Sequence, residues 1–318
     1  MNIKSKIYIA GHTGLVGSAI NRNFKKNGYK HIITRLHSEL ELACQSDVDV
    51  FFEKEKPEYV FLAAGKVGGI MANKTYPADF IYVNTMIQSN IIRSSWKHNV
   101  KKILFFGSSC IYPRECPQPM IEDYILTGPL EPTNEAYALA KLNGIKMCES
   151  FNRQYGTKFI TVIPANLYGP NDYYDIDNSH LIPALLIKFH NAKISNSSVV
   201  TLWGTGKPKR EFLYVDDCAE ACIFIMNNEF KKEIINIGFG SDMTIKQISK
   251  IVSDAVGYKG KIVFDSEKPD GMPRKFLDSS LISSYGWKAS TSFEYGISET
   301  YKDYLHKIKI NNDFIEGE

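Results

Sequence analysis

The sequence predicts an α/β fold, a doubly wound parallel sheet joined to a smaller, discontinuous C-terminal domain. Three observations predict it. Short apolar runs alternate with longer amphipathic ones through the first half of the chain. A glycine-rich turn follows the first apolar run. After about residue 166 the alternation gives way to stretches thick in proline, glycine and polar residues. Strands alternating with helices form βαβ units, whose crossovers cover both faces of a parallel sheet.

Residues 6–10 form a strand-length apolar run closed by a glycine, and 15–27 read as the first helix. Residues 31–34 read as a second strand, 47–55 as a helix and 59–63 as a third strand. A long helix over 79–98 leads to a strand at 102–107, and a helix over 135–155 leads to a strand at 159–164. The polar stretches at 168–177 and 204–208, and the charged, turn-rich 265–278, read as loops of a cap. Such a cap faces the carboxyl edge of the sheet, where open α/β folds bind ligands. Residues 215–226 and 234–237 return to the main sheet. The expected division is a dinucleotide-binding domain at 1–165 with returning segments about 212–240, and a substrate-binding domain at 166–211 and 241–318.

A chain of 318 residues suffices for one large domain or two coupled ones. Hydrophobic content of 44% with 23% charged residues excludes a disordered or fibrous chain. The net charge of +3, spread along the chain, excludes nucleic acid as a partner. No run approaches the roughly 20 apolar residues that span a bilayer, and residues 1–10 lack a signal-peptide pattern, so a cytoplasmic protein without membrane partners is expected. Cys44, Cys110, Cys116, Cys148, Cys218 and Cys222 lack metal-ligand spacing, so no metal is expected, and they suit a reducing compartment.

Gly11-His12-Thr13-Gly14-Leu15-Val16-Gly17 follows the first strand and opens the first helix. Glycines let backbone approach a pyrophosphate, and the helix N-terminus supplies partly positive amides, which makes the sheet Rossmann-type. At an NAD site an Asp or Glu lies about 20 residues past the glycines. Here that region reads Ile33-Thr34-Arg35-Leu36-His37, with a guanidinium and no carboxylate. Arg35 suits a 2′-phosphate, so NADP(H) is the expected cofactor.

Tyr137 and Lys141, four apart, share one face of the 135–155 helix. An ammonium there is expected to lower the phenol pKa, so that Tyr137 exchanges a proton with an alkoxide near neutral pH. Ser108, at the end of the strand before that helix, is placed to hydrogen-bond a reacting carbonyl oxygen as it gains charge. Strand-end Ser, then Tyr, then Lys, behind a glycine-rich first turn, resembles the short-chain dehydrogenase/reductase group.

Longer motifs narrow the resemblance. They are His12, Lys66-Val67-Gly68-Gly69-Ile70, Ser108-Ser109-Cys110-Ile111-Tyr112-Pro113, Leu130-Glu131-Pro132-Thr133-Asn134, Asn166-Leu167-Tyr168-Gly169-Pro170, Asn178-Ser179-His180, Trp203-Gly204-Thr205-Gly206, Arg210-Glu211-Phe212 and Lys268-Pro269-Asp270-Gly271. Together they resemble the GDP-L-fucose synthase family over nearly the whole chain. The resemblance implies a homodimer that epimerises C3 and C5 of GDP-4-keto-6-deoxymannose and reduces its C4 ketone with NADPH. It implies Cys110 as epimerisation base and His180 as acid. It places Ala63, Ala64, Pro164, Asn166, Leu167, Lys141 and His180 around the dinucleotide. It places Ser109, Lys188, Trp203, Arg210, Lys268 and Asp270 around the substrate, with Arg210 the leading cation for the diphosphate and the 268–275 loop supporting it. The chain departs from the family at Thr13, His37 and Lys188, where relatives often carry arginine. Two other readings are a 4-reductase acting on another GDP-4-keto-hexose or heptose, and a non-catalytic dinucleotide sensor.

Overall fold

The computed structural model describes residues 1–175 and 179–315. Asn178 of the Asn-Ser-His motif lies outside the described residues. In chain order the first half runs β1 (Ile7–Ala10), α1 (Leu15–Lys26), β2 (Ile32–Ile33), α2 (Gln45–Glu55), β3 (Tyr59–Leu62), α3 (Ile70–Thr75), α4 (Pro77–Lys97), β4 (Lys102–Phe106), α5 (Glu135–Tyr155) and β5 (Phe159–Pro164). The expected strands and helices are present with ends moved by one or two residues. The short α3 has no counterpart in the sequence reading, because a single six-residue stretch is too short to show helical periodicity. Pro77 sits at the first turn of α4, where its missing N–H costs nothing, and separates α3 from α4.

The second half continues β6 (Asn166–Tyr168), α6 (Leu181–Ile194), β7 (Val199–Trp203), β8 (Lys209–Arg210), β9 (Phe212–Tyr214), α7 (Val215–Asn227), β10 (Ile234–Ile237), β11 (Met243–Thr244), α8 (Ile245–Val256), β12 (Lys261–Asp265), β13 (Arg274–Lys275), α9 (Ser280–Ser284) and α10 (Phe293–Ile315). Six strands form the main sheet in the order β10-β5-β4-β3-β1-β2, every neighbouring pair parallel. The chain leaves β1 toward β2, then returns to lay β3 on the other side of β1. That reversal opens a crevice between the carboxyl ends of β1 and β3, the place where such sheets bind ligands.

Strands β1 and β4 are buried along their whole length, as expected where helices cover both faces. Lys102 is the polar exception. Its ammonium donates to the carbonyls of Ile225 (3.0 Å), Met226 (3.3 Å) and Asn228 (2.7 Å), which cluster at the end of α7.

Apolar side chains gather into two clusters. One surrounds the main sheet, with Ile9, Phe24, Phe61, Phe105 and Val162 at its centre. The other lies among α6, α8 and α10, with Leu186, Phe189, Val252 and Ile297. Strand β9 borders both: Phe212 and Tyr214 belong to the second cluster, and Leu213 and then Val215 to the first. Alternation of side chains along a strand sends them to opposite faces, so this short segment joins the two cores. Among the described residues no helix is long and apolar enough to cross a membrane.

Candidate active site

The glycine-rich loop lies in the crevice between β1 and β3. Gly11 adopts a φ of +84°, and a methyl group on it would lie 2.7 Å from the backbone nitrogen of Ala64. Gly17 brings α1 against the loop: a methyl there would lie 2.1 Å from the Gly11 carbonyl oxygen. The first turn of α1 has neither a capping side chain nor an acidic residue, so its amides stay free for an anion. Nδ1 of His12 is buried without a hydrogen-bond partner among the described residues. A tight glycine cradle, open helix amides and an unsatisfied imidazole nitrogen fit a dinucleotide pyrophosphate. Ala63 and Ala64 form one wall of the crevice, and Thr13 O accepts a 2.6 Å bond from Asn171 Nδ2. Leu15 and Val16 pack on the main core.

Arg35, the expected 2′-phosphate ligand, follows β2 but is engaged. Its Nη2 lies 2.6 Å from Glu55 Oε1, its Nη1 donates to Thr34 O at 2.8 Å, and its guanidinium lies 5.5 Å from the Phe51 ring centre. A 2′-phosphate placed at Arg35 would therefore share it with a carboxylate. His37 is exposed and pairs with Glu41 at 2.8 Å.

Parallel register brings the ends of β4 and β5 to the same edge as the crevice. Ser108 follows β4 in extended conformation, and its Oγ accepts from Cys110 N at 3.2 Å. Tyr137, in the first turn of α5, shares a side-chain hydrogen bond with Ser108. One turn on, Lys141 is buried, donates Nζ to Phe106 O at 2.8 Å, and lies 5.8 Å from the Tyr137 ring centre. The expected lowering of the phenol pKa does not occur. Burial pushes Tyr137 up, the neighbouring Cys110 adds to that, and the Ser108 hydrogen bond opposes it. Lys141 holds the Phe106 carbonyl rather than the phenol oxygen, so desolvation wins and Tyr137 is a neutral donor.

Burial pushes the Lys141 ammonium down to about 8. Its positive charge is thus present below that pH and lost above it, and turnover that uses the cation falls as pH rises through about 8. Stability moves the other way. An unfolded lysine keeps its proton to about pH 10.4. Between those values the unfolded chain binds more protons, so raising the pH favours the folded state. Initial-rate profiles and denaturant midpoints over the same pH series measure the two opposite slopes.

Cys110 lies beside this trio, and His180 shares with it the neighbouring charge of Lys275. Cys110 sits in a short 3-10 turn, Ser109–Ile111, with Asn134 Nδ2 at 3.2 Å and Lys275 Nζ at 3.7 Å from its sulfur. His180 is the residue from which α6 starts. Its own surface is open while protein encloses it on most sides, the situation of a ring lining a cleft. That enclosure pushes its imidazole below the ordinary range, and the charge of Lys275 adds to the effect.

The cap gathers most of the expected substrate residues. Trp203, at the end of β7, is 73% exposed, which removes it from either core. Lys268 lies 5.9 Å from the Trp203 ring centre, and Asp270 accepts from Thr205 N at 2.9 Å and Thr205 Oγ1 at 2.6 Å. Arg210 anchors through Nη1 to Lys209 O and Met272 O, both at 2.7 Å, and Asp270 acts on its charge. Lys188 donates to Thr201 O at 2.8 Å and, with Trp203 and Asp265, lines an open groove of about 720 Å³. Ser109 is buried, facing the core more than the cleft. Pro164 ends β5; Asn166 donates Nδ2 to Glu211 O at 2.8 Å, and Leu167 packs on the main core. Sequence reasoning gave no role to Asn134, though its motif was visible, and assigned Lys275 to the diphosphate loop rather than to the sulfur.

The model of the NAD dependent epimerase/dehydratase family matches residues 7–238. The chain is 50% identical over 323 residues to the GDP-L-fucose synthase of Escherichia coli (strain K12), covering 99% of each chain. It is 51% identical over 304 residues to GDP-L-fucose synthase 1 of Arabidopsis thaliana, covering 96% of this chain and 94% of that relative. Among solved structures it is similar to the GDP-mannoheptose C4 reductase from Campylobacter jejuni with NADP bound, at a TM-score of 0.89 and 41% identity, covering 96% of this chain and 99% of that one.

Proposed function

The chain belongs to the NAD dependent epimerase/dehydratase family, and on that premise we propose that it catalyses the GDP-L-fucose synthase reaction, 3,5-epimerisation of GDP-4-keto-6-deoxymannose followed by reduction at C4. One observation supports this reading: Ser108 Oγ reaches both Tyr137 and the amide of Cys110, and the charge of Lys275 reaches both the Cys110 sulfur and His180, so the groups proposed for reduction and the Cys110–His180 pair proposed for epimerisation are neighbours. A plain reductase has no use for the second pair.

The 11–17 loop, Ala63, Ala64 and the end of β5 would hold NADPH, which when bound would supply the hydride for C4. The ketone acidifies the hydrogens on C3 and C5. Ser108 and Tyr137 bind O4 and carry its negative charge whenever a proton leaves either carbon. Cys110 takes that proton and His180 returns one to the opposite face. At the reduction stage Tyr137 gives its phenolic proton to O4, with the Lys141 ammonium close behind. Arg210, Lys188 and Lys268 bind the diphosphate, and Trp203 packs on the nucleotide or sugar. The same reading assigns residues 1–165 and about 212–240 to the dinucleotide and the remainder to the substrate, in a cytoplasmic enzyme.

The test incubates the protein with GDP-4-keto-6-deoxymannose in D₂O, with NADPH or NADH in parallel, and reads the product by NMR. GDP-L-fucose deuterated at C3 and C5, formed faster with NADPH, is the expected result. An unlabelled, unepimerised product sinks the epimerase reading and favours a 4-reductase of another GDP-4-keto-hexose or heptose, the class to which the similar Campylobacter jejuni enzyme belongs.

The protein works as a homodimer in this proposal. Helices α4 and α5 pack on each other and leave Ile81, Tyr82 and Leu139 exposed at 38%, 64% and 43%. A second copy of the same helix pair buries that face as a four-helix bundle. Light scattering is expected to give twice the 36.0 kDa chain mass, and Leu139→Glu is expected to halve it.

A further inference from the structure

The sulfur of Cys110 is held between two donors from distant parts of the chain. Asn134 brings its amide from the start of α5, and Lys275 brings its ammonium from β13. Lys275 is fixed through its strand to β8. It pairs with Arg210 of β8, and its carbonyl accepts from Glu211 N at 3.3 Å. The next residue, Phe276, is tied to the segment after Cys110 through Gln118 Oε1 (2.9 Å) and the Met120 amide (2.8 Å). Neighbouring Arg274 is paired with Asp242. Lys275, by contrast, has no carboxylate within ion-pairing distance among the described residues. Its uncompensated charge points at a thiol.

Lys275 Nζ approaches Cys110 Sγ to 3.7 Å, so the sulfur is the group its charge faces in the folded chain. We propose that Lys275 is the counter-ion of the Cys110 thiolate, a positioning residue for proton transfer at the carbons flanking the ketone, with Asn134 completing the sulfur's donor shell. The proposal rests on Cys110 being the epimerisation base. In the step it serves, the carbon–hydrogen bond breaks, the electron pair passes to O4, and the proton joins the thiolate to give a neutral thiol. The cation balances the sulfur's charge before transfer. Other titratable groups act on the same small volume: Tyr137 beside Cys110 on the α5 side, and His180 and Cys116, both within reach of the Lys275 charge. Lys275 thus sets a positive charge beside the sulfur and makes a protonated His180 readier to give its proton.

Iodoacetamide alkylation of Cys110, followed by peptide mass mapping across a pH series without substrate, tests this directly. In K275M, Cys110 is expected to react about ten-fold more slowly near neutrality, with its profile moved alkaline by about one pH unit. K275R keeps the parent profile. K275Q, which retains a polar tip without charge, follows K275M if charge is the cause and K275R if only packing matters, the latter overturning the proposal. Buried Cys148 in the same map reports whether each variant is folded. Deuterium incorporation at C3 and C5 is expected to fall about ten-fold in K275M, in step with alkylation. An unchanged alkylation profile in both uncharged variants overturns the counter-ion, whatever the sugar. If the profile shifts as expected while the parent protein exchanges no deuterium into GDP-4-keto-6-deoxymannose, the counter-ion stands and the substrate reading falls.

Discussion

Replacing Tyr137 with Phe is expected to lower turnover by about 10³-fold while NADPH still binds within about two-fold of the parent affinity. The phenol oxygen shares its hydrogen bond with Ser108 and is the neutral donor of the trio, because burial holds its proton in place. Phenylalanine keeps the ring that packs edge-on against Phe80, with centroids 6.2 Å apart, so the first turn of α5 is preserved. What disappears is the group that gives a proton to O4. Ser108 alone leaves the charge on that oxygen half-supported, so deuterium exchange next to the ketone falls together with reduction. Steady-state rates and NADPH fluorescence titration measure the two halves separately. Unchanged turnover in Tyr137→Phe would remove the phenol from the chemistry, and NADPH binding with no turnover in either protein would be the behaviour of a dinucleotide sensor.

Gly17→Ala is expected to weaken NADPH binding by about 100-fold, the scale of loss when a positioned group is displaced by about an ångström. It is also expected to lower Tm by roughly 5 °C, the scale of overpacking a tight contact. The added methyl would meet Gly11 O at 2.1 Å, Gly11 C at 2.6 Å and His12 Cα at 2.9 Å. All three atoms are backbone, so no rotamer change relieves them, and the loop must move away from the helix whose amides face the pyrophosphate. Gly14→Ala is the control for the loss of stability. Its methyl would have only Gly11 O at 3.6 Å, and its φ of −79° suits any residue. Calorimetry and cofactor titration on both variants check the contrast. Equal stability of the two would mean that the tight helix–loop approach does not constrain the loop.

The alternation of apolar runs determined the main sheet. A fully buried parallel strand must be apolar along its length, as β1 and β4 are apart from Lys102, so its signal is local and needs no partner to be read. The glycine loop, Ser108, Tyr137 and Lys141 were singled out for a related reason: each lies at a strand end or on a helix face whose spacing is written in the chain. Cys110, in a short turn, and His180, just before α6, have no such local signal and were singled out by the family resemblance. The cap was not legible as structure. Its strands β8, β11 and β13 are two residues long, too short for periodicity, and they exist because they pair with one another across long sequence gaps. Arg35 shows the same limit for a single residue. Sequence gives it a free guanidinium at the end of β2, and only folding brings Glu55 to within 2.6 Å of it. Tyr137 and Lys141 had their spacing fixed by the helix but their ionisation decided by enclosure, since desolvation depends on every element that closes over them. Lys275 lies 165 residues from Cys110 and meets its sulfur only through the pairing of β13 with β8. Sequence by itself determined which chemistries are present and on which elements they stand. Tertiary structure decided which of those groups share a site and a charge, because burial and pairing are properties of neighbours that the chain does not list in order.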